Sequence, residues 1–478
     1  MASRLDPRST PTRTAETTVF DEQASFAQLG VPAALCDVLA ASGIDKPFPI
    51  QTATLPDSLA GEDVLGRGRT GSGKTLAFAL PVLARLAASG APRQPKRPRA
   101  LVLAPTRELA LQIQTAMVPL AKAMSLRTMS IFGGVGQNPQ VDSLRRGVDI
   151  VIACPGRLED LIAQRHASLD AVEITVLDEA DHMADLGFLP AVKRLMDATP
   201  RQGQRMLFSA TLDNGIDVLV KRYLSAPVTH SVDSEQSPVS TMDHHVLHVT
   251  NDDRMAVLVE LTSAPGRTIV FTRTKHRAKQ LARQLNSSGV PAVEMHGNLS
   301  QGARVRNLAA FSEGRAVALV ATDIAARGIH VDDVSLVIHA DPPTEHKAYL
   351  HRSGRTARAG NEGTVVTLAT ESQRRDVAQL TRKAGISPTV TSLSAGHALL
   401  TELAPGERTT MSAAEIDAAL GLSSPPKGSA GGGGGGGRRS SRSSSPSRSG
   451  SGRSSSARGA SSSARSGTSS RQHGRSGR

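Results

Sequence analysis

Gly68-Arg69-Thr70-Gly71-Ser72-Gly73-Lys74-Thr75 follows the pattern G-x-x-x-x-G-K-[ST]. Closely spaced glycines let backbone N–H groups approach phosphate oxygens. A lysine at this place reaches the β- and γ-phosphates, and the hydroxyl after it ligates Mg²⁺. Arg69, Thr70, Gly71, Ser72, Gly73, Lys74 and Thr75 are therefore the candidate phosphate cradle. Further along, Asp178-Glu179-Ala180-Asp181 comes directly after the apolar run Ile174 to Leu177. A carboxylate at the end of a strand is where Mg²⁺ is organised, and the adjacent Glu179 can orient or deprotonate an attacking water. The two segments point to hydrolysis of a nucleoside triphosphate, ATP. Thr75 and Asp178 are the metal ligands, and Lys74, Asp178 and Glu179 are the catalytic groups.

Such a site needs strands that end at the chemistry. Asp63-Val64-Leu65 precedes the phosphate loop, and the helix-like Leu76 to Ala87 follows it. Ala100 to Ala104, Asp149 to Ala153 and Ile174 to Asp178 are short, continuous apolar runs. Runs of this kind suit a parallel sheet covered on both faces, with functional loops at the C-terminal strand ends. Thr268 to Phe271, Ala316 to Val320 and Ser335 to Ile338 repeat the pattern, and Arg273 to Leu285 has helical spacing. The expected organisation is a flexible lead over 1–24, a first α/β unit over 25–230 and a polar linker over 231–243. A second α/β unit follows over 244–395, then a short helical extension over 396–423. The second unit has no phosphate loop of its own, so it is expected to complete the site on the first.

The chain has 478 residues, enough for two or three domains, and a formal charge of +13. From Lys427 onward there are one Lys, ten Arg and no Asp or Glu, so +11 lies there and +2 remains for residues 1–426. Residues 424–478, rich in Gly, Ser and Arg, cannot bury a core and are expected to be disordered. No run of 18 apolar residues suggests a membrane span, and Met1 to Thr18 lacks the apolar region of a secretory signal. Cys36 and Cys154, the only cysteines, form neither a disulfide framework nor a metal site, which suits a reducing cytoplasm.

Further segments stand in order around the first two. Phe26 and Gly43-Ile44-Asp45-Lys46-Pro47-Phe48-Pro49-Ile50-Gln51 lie upstream. Pro105-Thr106-Arg107-Glu108-Leu109-Ala110, Gly133-Gly134, Cys154-Pro155-Gly156-Arg157-Leu158 and Ser209-Ala210-Thr211 follow in the first unit. Thr272-Arg273-Thr274, Gln301 with Arg304, Ala321-Thr322-Asp323, Arg327-Gly328-Ile329-His330 and His351-Arg352-Ser353-Gly354-Arg355-Thr356-Ala357-Arg358 lie in the second. Over residues 20–395 this set resembles the DEAD-box RNA helicases, superfamily 2 ATPases.

The resemblance implies an α/β fold of two tandem RecA-like parallel-sheet domains, followed here by the disordered basic tail. It implies that Gln51 reads the adenine edge, with Phe26 nearby. Asp181, Ser209, Thr211 and His351 link nucleotide state to domain closure. Arg355 and Arg358 become arginine fingers, a device worth about 10³–10⁵ in rate. Pro105, Thr106, Arg107, Gly134, Gly156, Arg157, Thr272, Arg273, Gln301, Arg304, Thr322, Arg327 and Gly328 line an RNA path. Ile44, Phe48, Cys154, His330 and Ala357 depart from the family pattern.

Aromatic residues make up only 2% of the chain and Trp is absent, so base stacking is not the main binding mode. Backbone contacts largely independent of sequence are expected instead. The Arg-rich tail is expected to tether RNA through counterion release. The implied activity is ATP-dependent unwinding of short RNA duplexes. Two other readings stand beside it: a DNA helicase on the same domain pair, and an ATP-gated RNA clamp or annealing factor with little turnover. Nothing in the sequence specifies a protein partner.

Overall fold

The structure, a computed structural model, describes residues 24–68, 71–212, 214–232, 242–326, 331, 333–357 and 362–421. Arg69, Thr70, Arg327, Gly328, His330, Arg358, most of the linker and the basic tail lie outside the described residues.

Seven strands form the first sheet: β1 (Val64–Arg67), β2 (Ala100–Leu103), β3 (Thr128–Ile131), β4 (Ile150–Ala153), β5 (Ile174–Leu177), β6 (Gln204–Ser209) and β7 (Val228–Ser231). Seven more form the second: β8 (Met242–His248), β9 (Arg267–Thr272), β10 (Ala292–Met295), β11 (Ala318–Thr322), β12 (Val334–His339), β13 (Gly363–Ala369) and β14 (Thr389–Ser392). Every strand pair is parallel. The first sheet runs β3-β4-β2-β5-β6-β1-β7 and the second β10-β11-β9-β12-β13-β8-β14. Counted from its own first strand, the second order is the same as the first. The two sheets are thus tandem copies of one RecA-like topology.

The uninterrupted apolar runs have a direct structural cause. In β2, Ala100 and Val102 join one core cluster while Leu101 and Leu103 join another across the sheet. In β9, Val270 faces one core while Ile269 and Phe271 face the other. A strand covered by helices on both faces has no solvated side on which to place polar residues.

Helix starts carry their own signals. Thr106 caps Arg107–Ala123 by accepting from Leu109 N at 3.2 Å, and Thr274 caps Lys275–Ser287 by accepting from Arg277 N at 3.2 Å. Downstream of β14, the helix Ala398–Leu403 places Leu400 and Leu403 in the second core. The helix Ala413–Leu420 opens with a capping box between Ser412 and Glu415. The segment after 396 therefore packs as a continuation of the second lobe. Among the described residues, no helix is long and apolar enough to cross a membrane.

Candidate nucleotide and nucleic-acid site

The phosphate loop joins β1 to the helix Lys74–Ser89. Gly71 and Gly73 adopt φ of +92° and +90°, a region open mainly to glycine. A Cβ on Gly73 would also stand 2.6 Å from Gln51 Nε2, so the position has no room for a side chain. Lys74 is buried at the helix start and its Nζ donates to Gly68 O at 2.6 Å. Thr75 is half-buried beside it.

Gln51 is 1% exposed and ties the upstream segment to this loop. Its Nε2 donates to Gly73 O at 2.8 Å, and its Oε1 accepts from Phe48 N at 2.9 Å. Both ends of the amide are engaged with the protein here. Phe26 lies in the core of the first lobe, whereas Phe48 is 42% exposed.

Asp178 and Glu179 are both buried at the end of β5. Glu179 holds φ of +49°, an uncommon conformation for a non-glycine residue and of a kind concentrated at functional sites. Burial pushes Asp178 up to about 7, against the pull of the Lys74 charge. Burial also opposes ionisation of Glu179. The His182 hydrogen bond at 3.1 Å and the charges of His182, Arg355 and Lys74 outweigh it and hold Glu179 below the ordinary carboxylate range. A charged Glu179 suits a group that orients or accepts a proton from water.

Asp181 links this pair to the end of β6. Its Oδ2 accepts from Thr211 N at 3.0 Å and Thr211 Oγ1 at 3.1 Å, and its N–H donates to Ser209 Oγ at 3.3 Å. Ser209 O in turn accepts from Gly68 N at 3.1 Å. Phosphate loop, acidic segment and Ser209-Ala210-Thr211 therefore form one hydrogen-bonded unit. Among the described residues, no three His, Cys, Asp or Glu gather as a metal cage. One carboxylate and one hydroxyl, Asp178 and Thr75, fit Mg²⁺, which takes its remaining ligands from phosphate and water.

The second lobe supplies Arg355, 4% exposed, whose Nε donates to His351 O at 3.3 Å. Its charge reaches Glu179 across the two lobes. The preceding Arg352 is held by Asp323 through two contacts and donates to Asp341 O at 2.6 Å. Motif residues after β11 and β12 are thereby fixed to each other.

The residues expected to line an RNA path occupy C-terminal strand ends on the other half of each sheet. Pro105, Thr106 and Arg107 follow β2, Gly134 follows β3, and Gly156 and Arg157 follow β4. Thr272 and Arg273 stand at the end of β9, and Thr322 ends β11. Arg157 Nη1 donates to Val135 O at 3.3 Å, close to the Gly133-Gly134 turn. Arg273 is exposed and donates to Pro342 O at 3.2 Å, while Thr272 is fully buried.

Gln301 and Arg304 are placed differently. Arg304 Nε donates to Glu108 Oε1 at 2.7 Å and Gln301 Nε2 donates to the same oxygen at 3.2 Å, all three side chains being buried. They form a latch between the lobes instead of an open phosphate contact. Glu108 is a residue that sequence reasoning passed over, because an acid in the first turn of a helix reads as a partner of the helix dipole. His182 was also missed, although its i,i+3 spacing from Glu179 was a usable signal.

Residues 48–218 match the DEAD/DEAH box helicase model and residues 253–360 match the helicase conserved C-terminal domain. DEAD-box ATP-dependent RNA helicase 3A, chloroplastic, of Zea mays is 39% identical over 373 residues, 76% of this chain and 50% of that protein. ATP-dependent RNA helicase RhlB of Xanthomonas campestris pv. campestris (strain B100) is 38% identical over 408 residues, 83% of this chain and 70% of that protein. The solved structure of S. cerevisiae Dbp5 bound to RNA and ADP BeF3 has a TM-score of 0.68 and 28% identity, covering 77% of this chain and 95% of that one. The chain thus spans half the length of the maize relative. With one helicase model on each lobe, and the phosphate loop and acidic segment joined in the first, the chain belongs to the DEAD-box helicase family.

Proposed function

We propose that the protein is an ATP-dependent RNA helicase whose hydrolysis requires the two lobes to be closed. The observation that carries this reading is the position of Arg355, a second-lobe residue whose charge reaches the buried Glu179 of the first. Lys74 and the loop N–H groups would bind the phosphates. Thr75 and Asp178 would hold Mg²⁺, which when bound neutralises phosphate charge. Glu179 aligns the attacking water, and Arg355 with Arg358 stabilises charge developing on the transferring phosphoryl group. Asp181, Thr211 and Ser209 transmit the state of the phosphate loop to the rest of the lobe.

The RNA reading is supported by the names of the relatives and by the RNA bound in the Dbp5 structure. The strand-end residues from Pro105 to Thr322 are proposed to grip backbone phosphate and 2′-OH. In the same reading residues 424–478 tether RNA, and the free Cys36 and Cys154 suit a reducing cytoplasm. The test is the ATPase rate with and without single-stranded RNA, with DNA as competitor and Glu179→Gln as control. Stimulation by RNA alone, lost in Glu179→Gln, is the expected result. An RNA-insensitive wild-type rate would overturn the helicase reading in favour of a clamp.

A further inference from the structure

At the edge of the second sheet a cleft of about 670 Å³ lies between β14 and the helix Arg374–Lys383. It is separate from the strand ends that carry the nucleotide and RNA motifs. Its floor is apolar: Val246 and Val377 are buried in a small core cluster, and Val390 lies in register with Val246. Val390 is nevertheless 56% exposed, an apolar side chain open to an occupant of the cleft. Among the described residues β14 pairs only with β8, so its outer edge presents backbone groups to an incoming strand.

The rim is basic. Arg374, Arg375 and Arg382 line the cleft, and no acidic side chain does. Arg375 and Arg382 are seven residues apart, so they share one helix face. Neither has an ion pair among the described residues. Arg374 pairs with Glu371 at 2.8 Å, yet its buried Nε has no partner among the described residues. An open strand edge, an apolar seat and uncompensated guanidinium groups fit together as one recognition surface.

We propose that this cleft docks an extended acidic segment of a partner protein, which adds to β14 as an eighth strand. Apolar residues on one face of the segment sit on Val390 and Val377, and carboxylates two residues along that same face pair with Arg375 and Arg382. The apolar floor favours a peptide over RNA, and among the described residues no Phe, Tyr or Trp lines the cleft to stack a base, His248 being its one aromatic ring. Strand addition supplies backbone affinity, and the arginines supply selection for charge.

The probe is a fluorescein-labelled octapeptide, Thr-Val-Thr-Glu-Thr-Val-Thr-Glu, whose valines and glutamates share one strand face, added to the full chain. Hydrogen exchange and anisotropy are the readouts. Binding is expected to protect the amides of residues 389–392, and Arg375→Glu with Arg382→Glu is expected to weaken it tenfold or more. Val390→Glu, at an exposed edge position, should act in the same direction. Both variants should keep the RNA-stimulated ATPase, which controls for folding. The proposal is overturned if protection appears only in the tail, or if charge reversal leaves peptide affinity unchanged. It is equally overturned if single-stranded RNA, and not the peptide, protects 389–392.

Discussion

The two lobes share one strand order, yet the same place in each does opposite things. After β1 the first lobe has the phosphate loop and Lys74, and after β5 it has Asp178. The corresponding places in the second lobe hold Arg254, in the helix after β8, and Asp341, after β12. There the cation and carboxylate close on each other at 2.9 Å, and Asp341 also accepts from Arg273 N at 3.0 Å. In the proposed function the first lobe uses its lysine, which rests on Gly68 O, and its carboxylate for a ligand, whereas the second lobe joins the same pair to each other. A second nucleotide site is thereby closed, and the lobe is free to present Arg355 to the first.

Arg355→Ala tests the difference most severely. Its ATPase should fall by about 10³-fold or more, with ATP binding retained. Arg254→Ala should instead leave kcat nearly unchanged and lower the melting temperature. An equal loss of kcat in both variants would erase the distinction between ligand-facing and self-paired sites.

Acid should separate the lobes next. Burial first, with help from His245, holds His244 down to about 4, and burial with the Arg352 charge holds His339 well below its usual value. Both are second-lobe histidines kept neutral when folded. Their unfolded forms bind the extra proton, so stability is complete above about pH 6.5 and declines as pH falls toward the folded value. For His244 alone the loss by pH 4 is roughly 3 kcal/mol. In Tyr223→Phe, Tyr349 beside His244 is the sole tyrosine reporter, and its urea midpoint should be lower at pH 5 than at pH 7. An unchanged midpoint would show that these histidines do not titrate with unfolding.

Glu108→Gln removes the charge of the latch and leaves Arg304 buried without it. The RNA concentration for half-maximal ATPase should rise by roughly 10- to 100-fold, the scale of one buried charged hydrogen bond. Unstimulated ATP binding should not move. Thr211→Ala deletes the hydroxyl contact to Asp181 and leaves the backbone one. Unwinding per ATP should drop by roughly fivefold, the scale of about 1 kcal/mol, while RNA-stimulated hydrolysis persists. Parallel loss of both activities would place Thr211 in hydrolysis itself.

Much of this was legible in the sequence where chemistry requires neighbours. A phosphate loop must be contiguous, since successive N–H groups hold one ligand, and Asp178-Glu179 must follow a strand. Apolar runs without alternation announced a sheet covered on both faces. What stayed hidden joins residues far apart. Glu108 with Arg304, Arg254 with Asp341 and Arg352 with Asp323 have ordinary local surroundings, and only the fold brings each carboxylate to its guanidinium. The shared architecture of the lobes was implied by the family resemblance and not by local residue patterns. Topology is carried by burial and twist, so two lobes can share it while one lacks the signature loop.

Gln51 has one further consequence. The amide expected to read the base braces Gly73, the residue just before Lys74. The amide keeps one N–H and one oxygen lone pair beyond these two bonds, so a base that bound there would share the amide with the brace, and the fit of one end of a nucleotide would bear on the grip on the other. Selectivity among triphosphates would then be in part a mechanical property of the loop, expressed in how tightly phosphate is held as well as in which base is touched.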